Sequence, residues 1–212
     1  MSGLLPASFF SRDALQVAAD LLGAEVVRGE LALRITEVEA YRSPGDTANH
    51  CRFGPTPRNA PMWGPAGRLY VYRCYGLHNL VNVVTGSEGE GAAVLLRAVE
   101  IVGGEAVARA RGVPLDRRGI VGPGLVGRAL GADPSWSHHP VVEPGGIEFR
   151  RGHPPPQVRS GPRIGVDYAA PADRDAPWRL ASAGTRAVSR PRALHPGLPG
   201  DLESGWRGFT SS

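Results

Sequence analysis

Leu15, Ala18, Ala19 and Leu22 recur at the spacing of one helix face and predict a helix over 12–22. Ser11 stands where a cap would, and Gly23 where a left-handed stop would. The period then shortens. Residues 24–28 and 31–41 read as strands joined near Gly29 and Glu30. Residues 68–75 and 77–85 read as a hairpin with Gly76 at its turn, and 92–99 as a strongly apolar strand. Short helices are expected at 104–111 and at 124–130, the second stopped by Gly131. Residues 147–150 read as a short strand and 162–166 as strand-like. Between the first two pairs of strands, residues 42–67 are rich in Pro, Gly and Asn. They form a long loop with a helical turn near 58–62, tied down by Phe53, Met62 and Trp63. A loop of that length is more often functional than idle. No repeat or linker breaks the chain, so 1–212 is one domain, with a loose tail from about 193.

Some positions break this pattern, and they carry the candidate chemistry. In a regular strand Leu33, Ile35, Glu37 and Glu39 share one face, so apolar residues lead into two carboxylates. Either the sheet opens there on a cleft, or both acids are solvated surface groups. Arg97 lies inside an apolar strand, where its charge needs a carboxylate or a phosphate. Tyr70, Tyr72 and Cys74 share a face of the hairpin, and Tyr75 is near its tip, where a ring can protrude.

Composition narrows the function classes. The net charge is +4, all 24 basic residues are arginine, and residues 150–212 hold ten arginines against five acids, which suits a polyanion partner. Two cysteines, Cys51 and Cys74, do not make a disulfide framework. No apolar run reaches membrane-spanning length, and no basic-then-apolar leader opens the chain, so it reads as cytoplasmic, with no membrane partner. Cys74 with His78, and His138 with His139, complete no metal-ligand set, and no metal is expected. Nucleotide-binding glycine loops, a serine elbow and the common transcription-factor motifs are not signalled.

Taken in order, Ile35-Thr36-Glu37-Val38-Glu39-Ala40-Tyr41, His50, Thr56-Pro57-Arg58-Asn59, Leu69-Tyr70-Val71-Tyr72, Tyr75-Gly76, Asn82 and Val94-Leu95-Leu96-Arg97 resemble the alkyladenine (3-methyladenine) DNA glycosylase family. Gly122-Pro123-Gly124-Leu125 and Pro162-Arg163-Ile164-Gly165-Val166 echo it further on. The resemblance implies an α+β fold, one domain on a curved antiparallel sheet with surrounding helices. It implies an enzyme that flips alkylated purines out of double-stranded DNA and hydrolyses the N-glycosidic bond; with no lysine in the chain to form a Schiff base, the enzyme is expected to be monofunctional. No cofactor is implied. The chain would act as a monomer beside a bacterial chromosome, and a separate abasic-site endonuclease would take its product.

Carried over by position, Glu39 is the base that activates water and Arg97 helps hold that water. Tyr41 is one wall of the base pocket, with His50 and Tyr72 opposite. Main-chain groups around Ala48 and His50 read the base edge, and Asn82 crowds the guanine amino group. Tyr75 intercalates where the nucleotide left. His78 stands where the mammalian proteins have a tyrosine near the duplex, a possible DNA contact, and Glu37 matches no catalytic position. A non-catalytic protein that binds damaged DNA through the same cleft is the alternative reading.

Overall fold

Leu31–Tyr41 forms the long central strand, β2, of a sheet whose pairings are all antiparallel in this computed structural model, which describes residues 3–115 and 119–203. The other strands are β1 (Glu25–Arg28), β3 (Leu69–Cys74), β4 (His78–Thr85), β5 (Ala92–Gly103), β6 (Ile120–Val121), β7 (Glu148–Arg150), β8 (Val158–Gly161), β9 (Arg179–Ser182) and β10 (His195–Pro196). Their order is β10-β8-β9-β2-β5-β4-β3, with β1 bridging β2 to β7 and β6 added to β5. The helices are short: α1 (Ala7–Phe10), α2 (Ala14–Leu21), α3 (Glu105–Ala110), α4 (Pro123–Leu130), α5 (Pro171–Arg174) and α6 (Gly200–Glu203). This is the α+β architecture expected, with α2 and α4 packed on the sheet.

The core lies under α2 and α4, where Leu15, Leu21, Leu33, Ile35, Leu96 and Phe149 are essentially dry. Each such side chain contributes about 1.5–3 kcal/mol on leaving water. The two central strands do not keep one parity. Along β2 the core-facing residues are Leu31, Leu33 and Ile35, then Val38 and Ala40. Along β5 they are Ala92, Val94 and Leu96, then Val99. Ile35 pairs with Val99 and Val38 with Leu96, and the register is irregular between those two pairs. Each strand thus takes one extra residue there, and its alternation flips. Leu33 and Ile35 therefore do not share a face with Glu37 and Glu39, as a regular strand would have it. The bulge sends both carboxylates to the face opposite the helices, along with Leu95 and Arg97 on β5.

Four other local expectations change. The first helix starts later and is capped by Asp13, not Ser11: Asp13 accepts from Leu15 N at 2.9 Å, while Ser11 Oγ bonds back to Ala7 O at the end of the separate α1. The apolar strand expected to end at 99 continues to Gly103. Residues 162–166 are not a strand, because Arg163 turns inward and Gly165 is left-handed at φ +81°. The segment beyond 193 is held down through Glu203: β10 pairs with β8, and Leu194 and Leu202 are buried. The rest of the expected tail lies outside the described residues.

Candidate active site

On the carboxylate face a cavity of about 630 Å³ opens to solvent. Strands β2 to β5 supply Tyr41, Tyr70, Tyr72, Asn82, Leu95 and Arg97 to its lining. The 42–67 loop supplies His50, Arg58 and Met62, and the turn after β8 supplies Ile164, Gly165 and Val166. Strand alternation explains the sheet's share: Val71 points to the core while Tyr70 and Tyr72 on either side point to the cavity.

Glu39 is fully buried just behind this lining, and its three partners all belong to the lining. Oε1 accepts from Ile164 N at 2.7 Å and lies 3.2 Å from Arg97 Nη1. Oε2 accepts from the Tyr41 hydroxyl at 2.9 Å. A carboxylate has about four acceptor positions, so among the described residues one, on Oε2, is left over. Burial, and next the charge of Glu39, push the Tyr41 hydroxyl far up, so it stays protonated and donates. Arg97 is held firmly cationic: burial works against its charge, but Glu39 and then Glu37 more than offset this. The reading of Glu37 and Glu39 as solvated surface acids is thereby excluded, since both are wholly buried and both face arginines.

The aromatic wall is locked by mutual packing. His50 meets Tyr72 edge-on at 4.6 Å, and Tyr70 stacks on Tyr72 at 5.4 Å. His50 Nδ1 is 3.0 Å from the Tyr70 hydroxyl. Burial, with Arg58 and Arg52 nearby, lowers the His50 pKa to about 4, so the ring is neutral near pH 7. Burial raises the Tyr70 hydroxyl to about 12.

The irregular loop is held by buried polar side chains that periodicity does not reveal. Asp46 forms a two-point ion pair with Arg163 at 2.5 and 2.8 Å, both side chains fully buried. Arg163 also donates to Ala40 O, and its guanidinium lies over the rings of Tyr41 and Trp178. Asn49 bridges Arg42 O and Gly91 O, and Asn59 bridges His50 O and Gly54 O. The sequence reading gave no supporting role to Asp46, Asn49, Asn59, Arg163, Arg179 or Glu37. A signal existed for the loop members, because short polar residues in a Pro- and Gly-rich segment commonly satisfy its backbone.

The structure brings Glu39, Arg97, Tyr41, His50, Tyr72 and Asn82 to one cavity. Asn82 is buried and spends its amide nitrogen on Tyr70 O at 3.0 Å. Ala48 is buried outside the lining; its N–H donates to Asp46 Oδ1, and its carbonyl accepts from Tyr168. Tyr75 is 90 % exposed at the hairpin tip, in a left-handed conformation (φ +50°), with Leu77 beside it. His78 is exposed and packs on α4: a Cβ on Gly124 would lie 2.8 Å from the imidazole. The basic surplus of the last third is partly internal, since Arg163 and Arg179 are buried in ion pairs and Arg150 and Arg174 meet acids next to them in the chain. Arg186, Arg190 and Arg192 remain exposed.

A cavity lined by aromatic rings, backed by a paired carboxylate and flanked by a protruding tyrosine, suits an enzyme that detaches a planar base from its sugar. Comparison with known proteins gives the family: residues 8–186 match the methylpurine-DNA glycosylase model, and the chain belongs to that family. A relative from Nitrosococcus oceani, provisionally named a 3-methyladenine DNA glycosylase, is 56% identical over 92% of this chain and 98% of its own. The Arabidopsis thaliana protein named DNA-3-methyladenine glycosylase is 50% identical over 89% of this chain and 75% of its own.

Proposed function

We propose that this protein is a DNA-3-methyladenine glycosylase of base excision repair that hydrolyses the bond between an alkylated purine and its deoxyribose. Its substrate is damaged double-stranded DNA, in keeping with the family. A base inside a duplex cannot reach a carboxylate behind a pocket wall, so the nucleotide must first leave the stack. Tyr75 and Leu77, exposed at the hairpin tip, are placed to fill the gap. Arg52 and Arg58 near His50 add positive charge for the phosphates.

In the pocket, Tyr41, His50 and Tyr72 offer stacking faces. Alkylation at N3 or N7 makes the purine cationic, which favours aromatic walls and makes it a better leaving group. A neutral His50 adds no charge against such a base. Water on the free Oε2 position of Glu39 attacks C1′ while its proton passes to the carboxylate. The glycosidic bond breaks, and its electron pair leaves with the base, neutralising the alkylated ring. Carboxylate charge also stabilises the oxocarbenium character that develops on the sugar.

The observation that carries this reading is Glu39 itself: a fully buried carboxylate with three partners fixed and one acceptor position left. Base release from defined duplexes under single-turnover conditions tests it. Wild-type protein should free 3-methyladenine, Glu39→Gln should not, and equal rates would overturn the assignment.

A further inference from the structure

Glu37 has no place in the reaction just described, yet it is fully buried and elaborately paired. It accepts from Arg179 Nη1 at 2.9 Å, from Ser189 N at 2.8 Å and from Ser189 Oγ at 2.7 Å. Arg179 is nearly as buried and also donates to Pro162 O and Ser189 O. On its other side, Glu37 Oε1 lies 4.0 Å from Arg97 Nε, a buried nitrogen with no hydrogen-bond partner among the described residues. Arg97 presents Nη1 to Glu39 at 3.2 Å. Two carboxylates and two guanidiniums thus alternate in the order Arg179, Glu37, Arg97, Glu39, with no net charge.

Such a row has a consequence for Arg97. With Glu37 present, its charge is shared between two buried acids. Without Glu37, both Arg97 and an uncompensated Arg179 would act on Glu39 alone. In a poorly solvated site charges a few ångströms apart interact strongly. A carboxylate facing an undivided guanidinium binds a proton less readily and is a weaker base.

We propose that Glu37 is a positioning residue that divides Arg97 between two carboxylates, so that Glu39 keeps both a free lone pair and the basicity that water activation needs. This rests on the reading of Glu39 as the water-activating group. The other titratable groups around Glu39 are Tyr41 from β2, Tyr72 from β3, and Arg163 and Tyr168 from the segment after β8, with Asp46 paired behind Arg163. None of the hydrogen bonds and ion pairs seen for Glu37 among the described residues is made with these groups. Among the described residues Arg97 is the group that lies against both carboxylates, 4.0 Å from Glu37 and 3.2 Å from Glu39.

The test is the pH dependence of single-turnover release of 7-methylguanine, a leaving group already cationic, so its own protonation does not enter. Glu37→Gln should lower the plateau rate about threefold or more while lesion-duplex affinity stays unchanged. Its acidic limb should move to lower pH by about half a unit or more. Arg179→Gln leaves Glu37 to draw on Arg97 alone, and should move the limb to higher pH. The double variant restores the balance and should return the limb toward wild type. Ser189→Ala, with every charge intact, should leave it in place. Limbs that do not move, or that move the same way in both single variants, overturn the proposal. If one single variant fails to give a native melting transition, the direction of the other decides. Failure of the underlying reading would show separately, as activity retained in Glu39→Gln.

Discussion

Ile164 donates its backbone N–H to Glu39 Oε1 at 2.7 Å, joining two residues 125 positions apart in the chain. The two residues before the donor are both anchored: Arg163 is clamped on Asp46, and Pro162 O accepts from Arg179 Nε. A main-chain donor has no rotamer to lose, so the carboxylate is fixed before any substrate arrives. The site is preorganised by an ion pair that never touches the base.

Glu39→Gln keeps the shape of the side chain and removes its charge. General-base catalysis is worth about a hundredfold to ten-thousandfold, and a loss in that range is expected in the single-turnover rate. Lesion-duplex affinity should change little. Base release with saturating enzyme, alongside anisotropy of a labelled duplex, measures both.

Arg163→Met leaves the Asp46 carboxylate buried without its partner. Breaking one side of a buried pair costs about 3–5 kcal/mol, and urea unfolding should show a loss of that order. Asp46→Leu combined with Arg163→Met should recover much of the stability, because two well-packed apolar side chains can replace a buried pair. Excision should remain low in the double variant, since Ile164 is no longer held against Glu39.

His50 titrates near 4 in the folded protein, against an ordinary value of 6.5. The unfolded chain therefore binds more protons between those two values. The His50 contribution to stability is complete above pH 6.5 and is lost as pH falls toward about 4. One pH unit is worth about 1.4 kcal/mol, so the interval of about 2.5 between 6.5 and about 4 sets a ceiling of about 3.5 kcal/mol. Urea midpoints from pH 7 to pH 4 should fall more steeply for the wild type than for His50→Gln.

Tyr75→Ala removes the exposed ring at the hairpin tip. Unstacking a base step costs a few kcal/mol, and the ring offsets part of it. The flipped fraction, read from a fluorescent reporter base beside the lesion, should drop severalfold. Equal amplitudes in the two proteins would reject the wedge role.

The chain contains no lysine to attack the sugar as an amine. We expect an intact abasic site as the product, left for a separate endonuclease. Lesion duplex incubated with the protein should break only after alkali or added endonuclease, and borohydride should trap no protein–DNA adduct. An adduct above background, lost when the N-terminal amine is blocked, would make that terminus the nucleophile.

Much of this protein was determined locally and is legible in the sequence. The hairpin about Gly76, the strands 31–41 and 92–99, the helix stopped by Gly131 and the exposure of Tyr75 follow from period and turn chemistry. The demand of Arg97 for a carboxylate follows from putting charge into an apolar strand, and Glu39 meets it. Three features were decided only by the folded chain. The paired irregularity in β2 and β5 flips which residues face the core, and no periodicity confined to one strand can foresee a shift shared by two. The Asp46–Arg163 and Glu37–Arg179 pairs join positions 117 and 142 apart, where sequence spacing carries no information about contact. The inward turn of Arg163 makes 162–166 a backbone clamp instead of a strand, because a buried guanidinium goes where its carboxylate is. Local patterns set the elements; long-range charge pairing set which of them meet at Glu39.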